Sequence, residues 1–158
     1  MRHVLFILVF AIVPAAGSTQ GETDRDAVLK TVQMFFDTMT ARDVDGARKI
    51  MIPEGRFFAM DLRKPNAAPQ SFTNEEYVAR LQKGKQSSRE RMWNPEVRVR
   101  GSIATVWTPY DFWIDGTFSH CGIDAFDLIK TGEGWKIAGG AFTMEAGCEP
   151  SPLGPLKQ

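Results

Sequence analysis

"TPYDFWIDGTFSHCGIDAF", residues 108–126, places Asp115-Gly116 between two runs rich in aromatic and β-branched residues. That pair is a strong signal for a two-residue hairpin, because a type I′ turn needs positive φ at both central positions and Asp-Gly tolerates it. The turn puts Ile114 opposite Thr117. Counting outward sets Trp113 opposite Phe118, Asp111 opposite His120 and Trp107 opposite Asp124. With a side-chain period of two, those six residues share one face, and Val106, Tyr110, Phe112, Ile114, Ile123 and Ile129 occupy the other. Pro109 cannot donate to a ladder, so it is where a bulge would shift this register.

An aspartate beside a histidine among aromatic rings admits three readings. A carboxylate orients an imidazole and raises its pKa, as a general base or proton shuttle requires, and a carboxylate in an apolar cavity can abstract a proton next to a carbonyl. The same groups can give a ligand pocket its polar contacts. They can also be a cross-strand ion pair on a half-exposed sheet. Asp124 carries its own alternative, as partner of the Trp107 indole N–H.

Downstream and upstream of the hairpin the pattern continues as strands: 96–100, 103–114, 117–130 and 135–144, separated by Gly101, Asp115-Gly116 and Gly132-Glu133-Gly134. Before them the period changes. Val28, Val32, Phe35, Phe36 and Met39 recur at helical spacing over 23–41, behind Thr23 and Asp26 as a capping box. Asp43 caps a short helix that runs through Ile50 and stops before Pro53. "GRFFAMDLR" (55–63) reads as a strand, "KPNAAPQ" (64–70) as a surface connection, and Thr73 with Glu76 as a second capping box. That box opens a helix with Tyr77, Val78 and Leu81 on its inner face. Helices followed by antiparallel strands predict an α+β domain in which a curved sheet is covered by the helices on one face.

The ends and the charge bound the function class. "MRHVLFILVFAIVPAAGSTQ" has a basic start, an apolar run from Val4 to Val13 and then small residues, the pattern of a signal peptide over residues 1–19. The run is shorter than the roughly 20 residues a membrane span needs, and no later segment is long and apolar enough. The expected mature protein is exported, periplasmic or secreted, with one domain over 20–148 and a Pro-rich tail over 149–158. Without Arg2 it carries 18 basic and 19 acidic residues, interspersed. "RVR" (98–100) alternates as the outer face of a strand does, so nothing points to nucleic acid. Two cysteines in an exported chain predict one disulfide, Cys121 to Cys148, worth about 3 kcal/mol in the chain-entropy account. Their separation fits neither a zinc motif nor a CxxC redox motif.

Over Asp24 to Cys148, and most specifically over "DFWIDGTFSHCGIDAFDLIKTGEGWKI" (111–137), the chain resembles the nuclear transport factor two-like superfamily, in particular its SnoaL-like and lumazine-binding-like exported members. The resemblance implies a cone-like α+β domain, with a curved antiparallel sheet wrapped around N-terminal helices and leaving an apolar pocket. It also implies a homodimer formed through the sheet. Ketosteroid isomerases and polyketide cyclases of that superfamily abstract a proton with a pocket aspartate, whereas many other members catalyse nothing. "IDAF" places Asp124 where such enzymes keep a pocket acid, and "DGTFSH" places His120 near the pocket mouth. The tyrosine expected beside a neutral acid is missing from the same face, since the hairpin count puts Tyr110 opposite; Tyr77 is a more distant substitute.

Fold therefore does not choose function. The expectation is an exported protein that binds a small, largely apolar molecule between sheet and helices, without a cofactor or a metal. Asp124, Asp111 and His120 are its candidate catalytic or polar groups, and Trp107, Trp113, Phe118, Phe126, Phe35 and Tyr77 its candidate ligand contacts. The alternatives are an isomerase or cyclase acting α to a carbonyl, and a dimerising interaction module without catalysis. No HExxH, GxSxG, P-loop or dinucleotide glycine motif is present.

Overall fold

Asp115 and Gly116 have φ of 48° and 76°, so the predicted tight turn forms and joins the two longest strands. The structure, a computed structural model, describes residues 19–149 and 151–156. The leader read over residues 1–19 lies, but for Thr19, outside the described residues. Three helices, α1 (Thr19–Ala41), α2 (Val44–Ile50) and α3 (Asn74–Lys83), accompany seven strands. The strands are β1 (Met51–Asp61), β2 (Gln70–Thr73), β3 (Ser88–Met92), β4 (Glu96–Arg100), β5 (Ile103–Ile114), β6 (Thr117–Thr131) and β7 (Gly134–Met144).

The caps behave as their residue types require. The Asp43 side chain accepts the Gly46 amide at 2.9 Å at the start of α2. At α3, Thr73 and Glu76 form a reciprocal capping box, satisfying two amides that a helix start leaves without partners. α1 begins at Thr19, four residues before the start read at Thr23, which lies inside the helix.

The sheet order is β2-β1-β7-β6-β5-β3, with β4 pairing the first half of β5 and β3 its second half. All neighbours are antiparallel except β1 and β7, which run parallel and make the sheet mixed. It is curved and unclosed, and it wraps α1. Val28, Val32, Phe35 and Phe36 from that helix meet Phe57, Val106, Phe126, Leu128 and Ile137 from the concave face in one core cluster. Phe126 is central to it, with edge contacts to Phe35, Phe36 and Phe57. Burying one such side chain contributes about 1.5–3 kcal/mol.

Pro109 does not break the β5–β6 ladder, where it sits in register opposite Ile123. Its missing N–H falls instead on the other edge, between β3 and β4, where the partner strand is interrupted around Trp93 and Asn94. The shift in β5–β6 lies nearer the turn. Trp113 pairs with Phe118 but Phe112 pairs with His120, so Ser119 is an extra residue on β6.

Candidate functional site

Ser119 decides which side chains reach the interior. A one-residue bulge exchanges the two faces of everything beyond it. Asp111 is therefore opposite Cys121, not His120, and Asp124 is opposite Thr108, not Trp107. The expected Asp111–His120 pair does not form. His120 and Asp124 point to the concave side with Tyr110 and Phe112, where all four line one cavity of about 340 Å³. Asp111, Trp107, Trp113 and Phe118 lie on the convex side.

The cavity is walled by Phe35, Phe57, Phe72, Tyr77, Phe112 and Phe142. Tyr77 and Phe35 stack at 4.9 Å between ring centroids. Of the expected ligand contacts, Phe35 and Tyr77 line this cavity, and Phe126 lies in the core behind it. Half-buried Arg42 and exposed Arg80, Gly84 and Gln86 also border it, marking where it meets solvent.

Its polar groups carry little compensation. Asp124 is 5% exposed and its Oδ2 has no hydrogen-bond partner; the same holds for the Tyr77 hydroxyl. Glu90, from the middle of β3, lines the same cavity close enough for the two carboxyls to hydrogen-bond when they share a proton. Burial pushes the Asp124 carboxyl up to about 7. Burial, and then the Asp124 charge, hold Glu90 well above the usual carboxylate range, as expected for two acids that cannot both ionise in an apolar wall. Burial likewise raises the Tyr77 and Tyr110 phenols.

Tyr110 reaches across β6 to donate its hydroxyl to the Thr143 carbonyl at 2.6 Å. Its opposite residue in the ladder is Gly122. A Cβ there would stand 2.1 Å from that same Thr143 oxygen, so the bare glycine keeps β6 and β7 in register where the phenol crosses. Tyr110 thus shares a face with Asp124, contrary to the hairpin count, and its proton is already engaged.

His120 stacks on Phe112 at 4.8 Å and meets Tyr110 edge-on at 5.8 Å, with Ser119 Oγ 3.0 Å from its Nδ1. Burial, and then the Arg63 charge, push the imidazole down to about 4, against a smaller opposite effect of Asp61. It is neutral at pH 7. Arg63 is itself held by Asp61 through two contacts of 2.7 and 3.1 Å.

The convex side treats its aspartate differently. Asp111 is 2% exposed and receives Arg91 Nε at 2.9 Å and Nη2 at 2.5 Å. The same Nη2 also donates to the Gly154 carbonyl of the C-terminal tail at 2.7 Å. The Arg91 guanidinium lies 5.4 Å from the Trp113 ring, and Trp113 packs edge-on against Phe118. Cys121 and Cys148 are joined, with Cα atoms 6.2 Å apart, stapling β6 to the tail. Asp111, Trp113 and Phe118 thus form the seat of the tail, and Trp107, opposite Ala125, is 54% exposed on the convex face and cannot meet Asp124 on the other. Among the described residues, no group of three or more His, Cys, Asp or Glu is placed to hold a metal ion. No described helix is long and apolar enough to cross a membrane.

Sequence reasoning missed Glu90. "SRERM" (88–92) alternates, with Arg89 and Arg91 on one face and Ser88, Glu90 and Met92 on the other. That period of two was the available signal, but with polar residues on both faces the segment was not among the strands read from the sequence.

Residues 23–143 match the family described as "Putative lumazine-binding". The sequence matches none of the curated proteins. Among solved structures, an NTF2-like protein from Cytophaga hutchinsonii superposes with a TM-score of 0.66 at 15% identity, over 76% of this chain and 97% of that one. A nuclear transport factor 2-like protein from Salmonella enterica gives 0.64 at 13% identity, over 82% and 96%. An NTF2-like protein with a cystatin-like fold from Novosphingobium aromaticivorans gives 0.62 at 14%, over 82% and 86%. These likenesses carry the fold, which is that of the nuclear transport factor two-like proteins, and the sequence match over most of the domain carries the family: the chain belongs to the family described as "Putative lumazine-binding".

Proposed function

We propose that this is an exported protein that binds a small, largely apolar molecule in the cavity between sheet and helices. The observation that carries the reading is an aromatic-walled cavity of about 340 Å³ with a buried, unpartnered carboxyl oxygen, Asp124 Oδ2, in its lining. Apolar walls with a few polar groups are what a ligand site of this size needs. The Cys121–Cys148 disulfide and the leader-like residues 1–19 support export, since disulfides persist outside the reducing cytoplasm. The family description names lumazine binding, in keeping with a ring-shaped ligand.

The test is entry of an uncharged, apolar fluorescent dye such as N-phenyl-1-naphthylamine. Met39 lines the cavity from α1 and is half-buried, so Met39→Trp fills the space. We expect the native protein to bind the dye at micromolar concentration and the variant, with its melting temperature retained, to lose at least about tenfold in affinity. Equal binding by both would refute the cavity as the site.

A second reading, proton transfer α to a carbonyl, is favoured by the raised Asp124 carboxyl. Ionised Asp124 would take the α proton of a β,γ-unsaturated ketone and return it at the γ carbon, with Tyr77 donating to the enolate oxygen. Asp124→Asn should then lower turnover by about 10²–10⁴. Undiminished formation of the conjugated enone, followed by absorbance, removes Asp124 as the base.

Self-association through the convex sheet is supported by one ladder row, Trp107-Ala125-Ala141-Phe58. Its ends are exposed rings, Trp107 and Phe58, and its middle two alanines form a shallow groove. Trp107→Glu should shift sedimentation to the monomer, and an unchanged mass would count against this face.

A further inference from the structure

We propose that the polar end of the ligand is a cation, a protonated amine or ring nitrogen, held between Glu90 and Asp124 with the aromatic walls around its body. The proposal rests on the cavity being a ligand site and adds the chemical class. Two carboxyls from β3 and β6, the strands that flank β5, line one cavity whose walls are mostly rings. Asp124 is nine-tenths buried and keeps one oxygen, Oδ2, without a partner. A ligand that only accepts hydrogen bonds leaves that oxygen unsatisfied when the acid is ionised. A neutral donor satisfies it but leaves the charge.

Every charged or titratable group lining the cavity bears on the choice. From the turn after α1 comes Arg42, from α3 Tyr77 and Arg80, from β3 Glu90, from β5 Tyr110, and from β6 His120 and Asp124. Arg80 lies over the Phe72 ring at 4.8 Å and is exposed, and Arg42 is at the same border. Neither forms an ion pair or side-chain hydrogen bond with Glu90 or Asp124 among the described residues. His120 is deprotonated at pH 7, with Arg63 beside it opposing its charge. The two tyrosines are neutral donors. The interior thus presents negative charge with no internal counter-ion, and the border presents positive charge.

When the two acids share one proton they carry a single negative charge, and a monocation restores neutrality. The ring faces add cation–π attraction, strongest where water is excluded. An anion would meet the shared carboxylate directly and is the class that the interior rejects.

The test uses three molecules of one skeleton: 2-naphthylmethylamine, 2-naphthylmethanol and 2-naphthoate, titrated calorimetrically into the disulfide-bonded protein at pH 7.5. The amine should bind at least about tenfold tighter than the alcohol, as a hydrogen bond to a charged group supplies, and the carboxylate weakest. Glu90→Gln with Asp124→Asn should remove the advantage of amine over alcohol. Lowering the pH from 8 to 5 should weaken the amine, which stays protonated, because the carboxyl pair takes up its second proton. An alcohol that binds the native protein as tightly as the amine overturns the cationic class and leaves the ligand site standing. If none of the three binds while the apolar dye still enters, the cationic class also falls alone. If the dye fails as well, both fall.

Discussion

Asp111 and Asp124 lie on adjacent strands of one hairpin, are buried to within 5% of their surface, and live under opposite electrostatic rules. The convex aspartate has a bidentate arginine and the tail backbone around it. The concave one has a second carboxyl and rings. One strand, β3, supplies both partners, Arg91 outward and Glu90 inward. Burial alone therefore says nothing about role. A buried charge with its counter-ion belongs to the architecture, whereas a buried acid held next to another acid opposes folding and calls for a ligand or a proton.

The largest expected effect breaks the convex half of the comparison. Arg91→Met strands the Asp111 carboxylate and should cost about 3–5 kcal/mol in denaturant unfolding, whereas Arg91→Met with Asp111→Leu should recover most of it. A single variant within about 1 kcal/mol of the native protein would show that the pair is no stay of the fold. Next, Cys121→Ser with Cys148→Ser opens a loop of 27 residues' separation and should cost about 2–4 kcal/mol, with the tail becoming sensitive to protease. The concave cavity should keep its dye binding, since neither cysteine lines it. Loss of dye binding in that variant would tie the two faces together.

The concave half is sharpened by Asp124→Asn. The folded-state carboxyl titrates at about 7 against an ordinary 3.8, so the native state binds the extra proton between those values. Its contribution is fully present below pH 3.8 and is lost as pH rises through 7. The asparagine variant lacks that loss. It should be more stable than the native protein by about 1–2 kcal/mol at pH 8 and gain little at pH 4. A variant less stable at pH 8 would mean that Asp124 has a compensating partner after all.

The hairpin was legible from Asp115-Gly116, and the helices from periodicity and caps, because those signals are local. The site was not, and for a local reason of a different kind. Nothing in "FSHC" marks Ser119 as a bulge, since a serine in β6 could equally stay in the ladder, and that one residue moved Asp111 to the outside and Tyr110 to the inside. β3 stayed hidden because one of its inward residues, Glu90, is charged, and nothing near it in the sequence marks a charged group as facing in. The parallel β1–β7 pair joins residues about 80 positions apart, where no local pattern speaks. Cys121–Cys148 was readable because two cysteines leave one pairing.

His120 provides the smallest and most discriminating change, because it titrates on the same face as Asp124 with the opposite sign. The wall that raises an acid lowers a base: burial brings the imidazole from 6.5 to about 4. Its neutral form contributes stability that is fully present above pH 6.5 and is lost as pH falls through 4. Between pH 4 and 6.5 this loss runs against the gain from the carboxyl pair, so the native profile is flattened by cancellation. His120→Gln removes one side of the balance. Its stability at pH 7 should lie within about 1 kcal/mol of native once the lost stacking on Phe112 is allowed for, and it should then rise more steeply as pH falls from 6.5 to 4. Asp124→Asn should do the reverse in the same window, falling as the histidine charges. If both variants kept the native slope, the concave face would not be enforcing neutrality, and the contrast with Asp111 would reduce to the presence of one arginine.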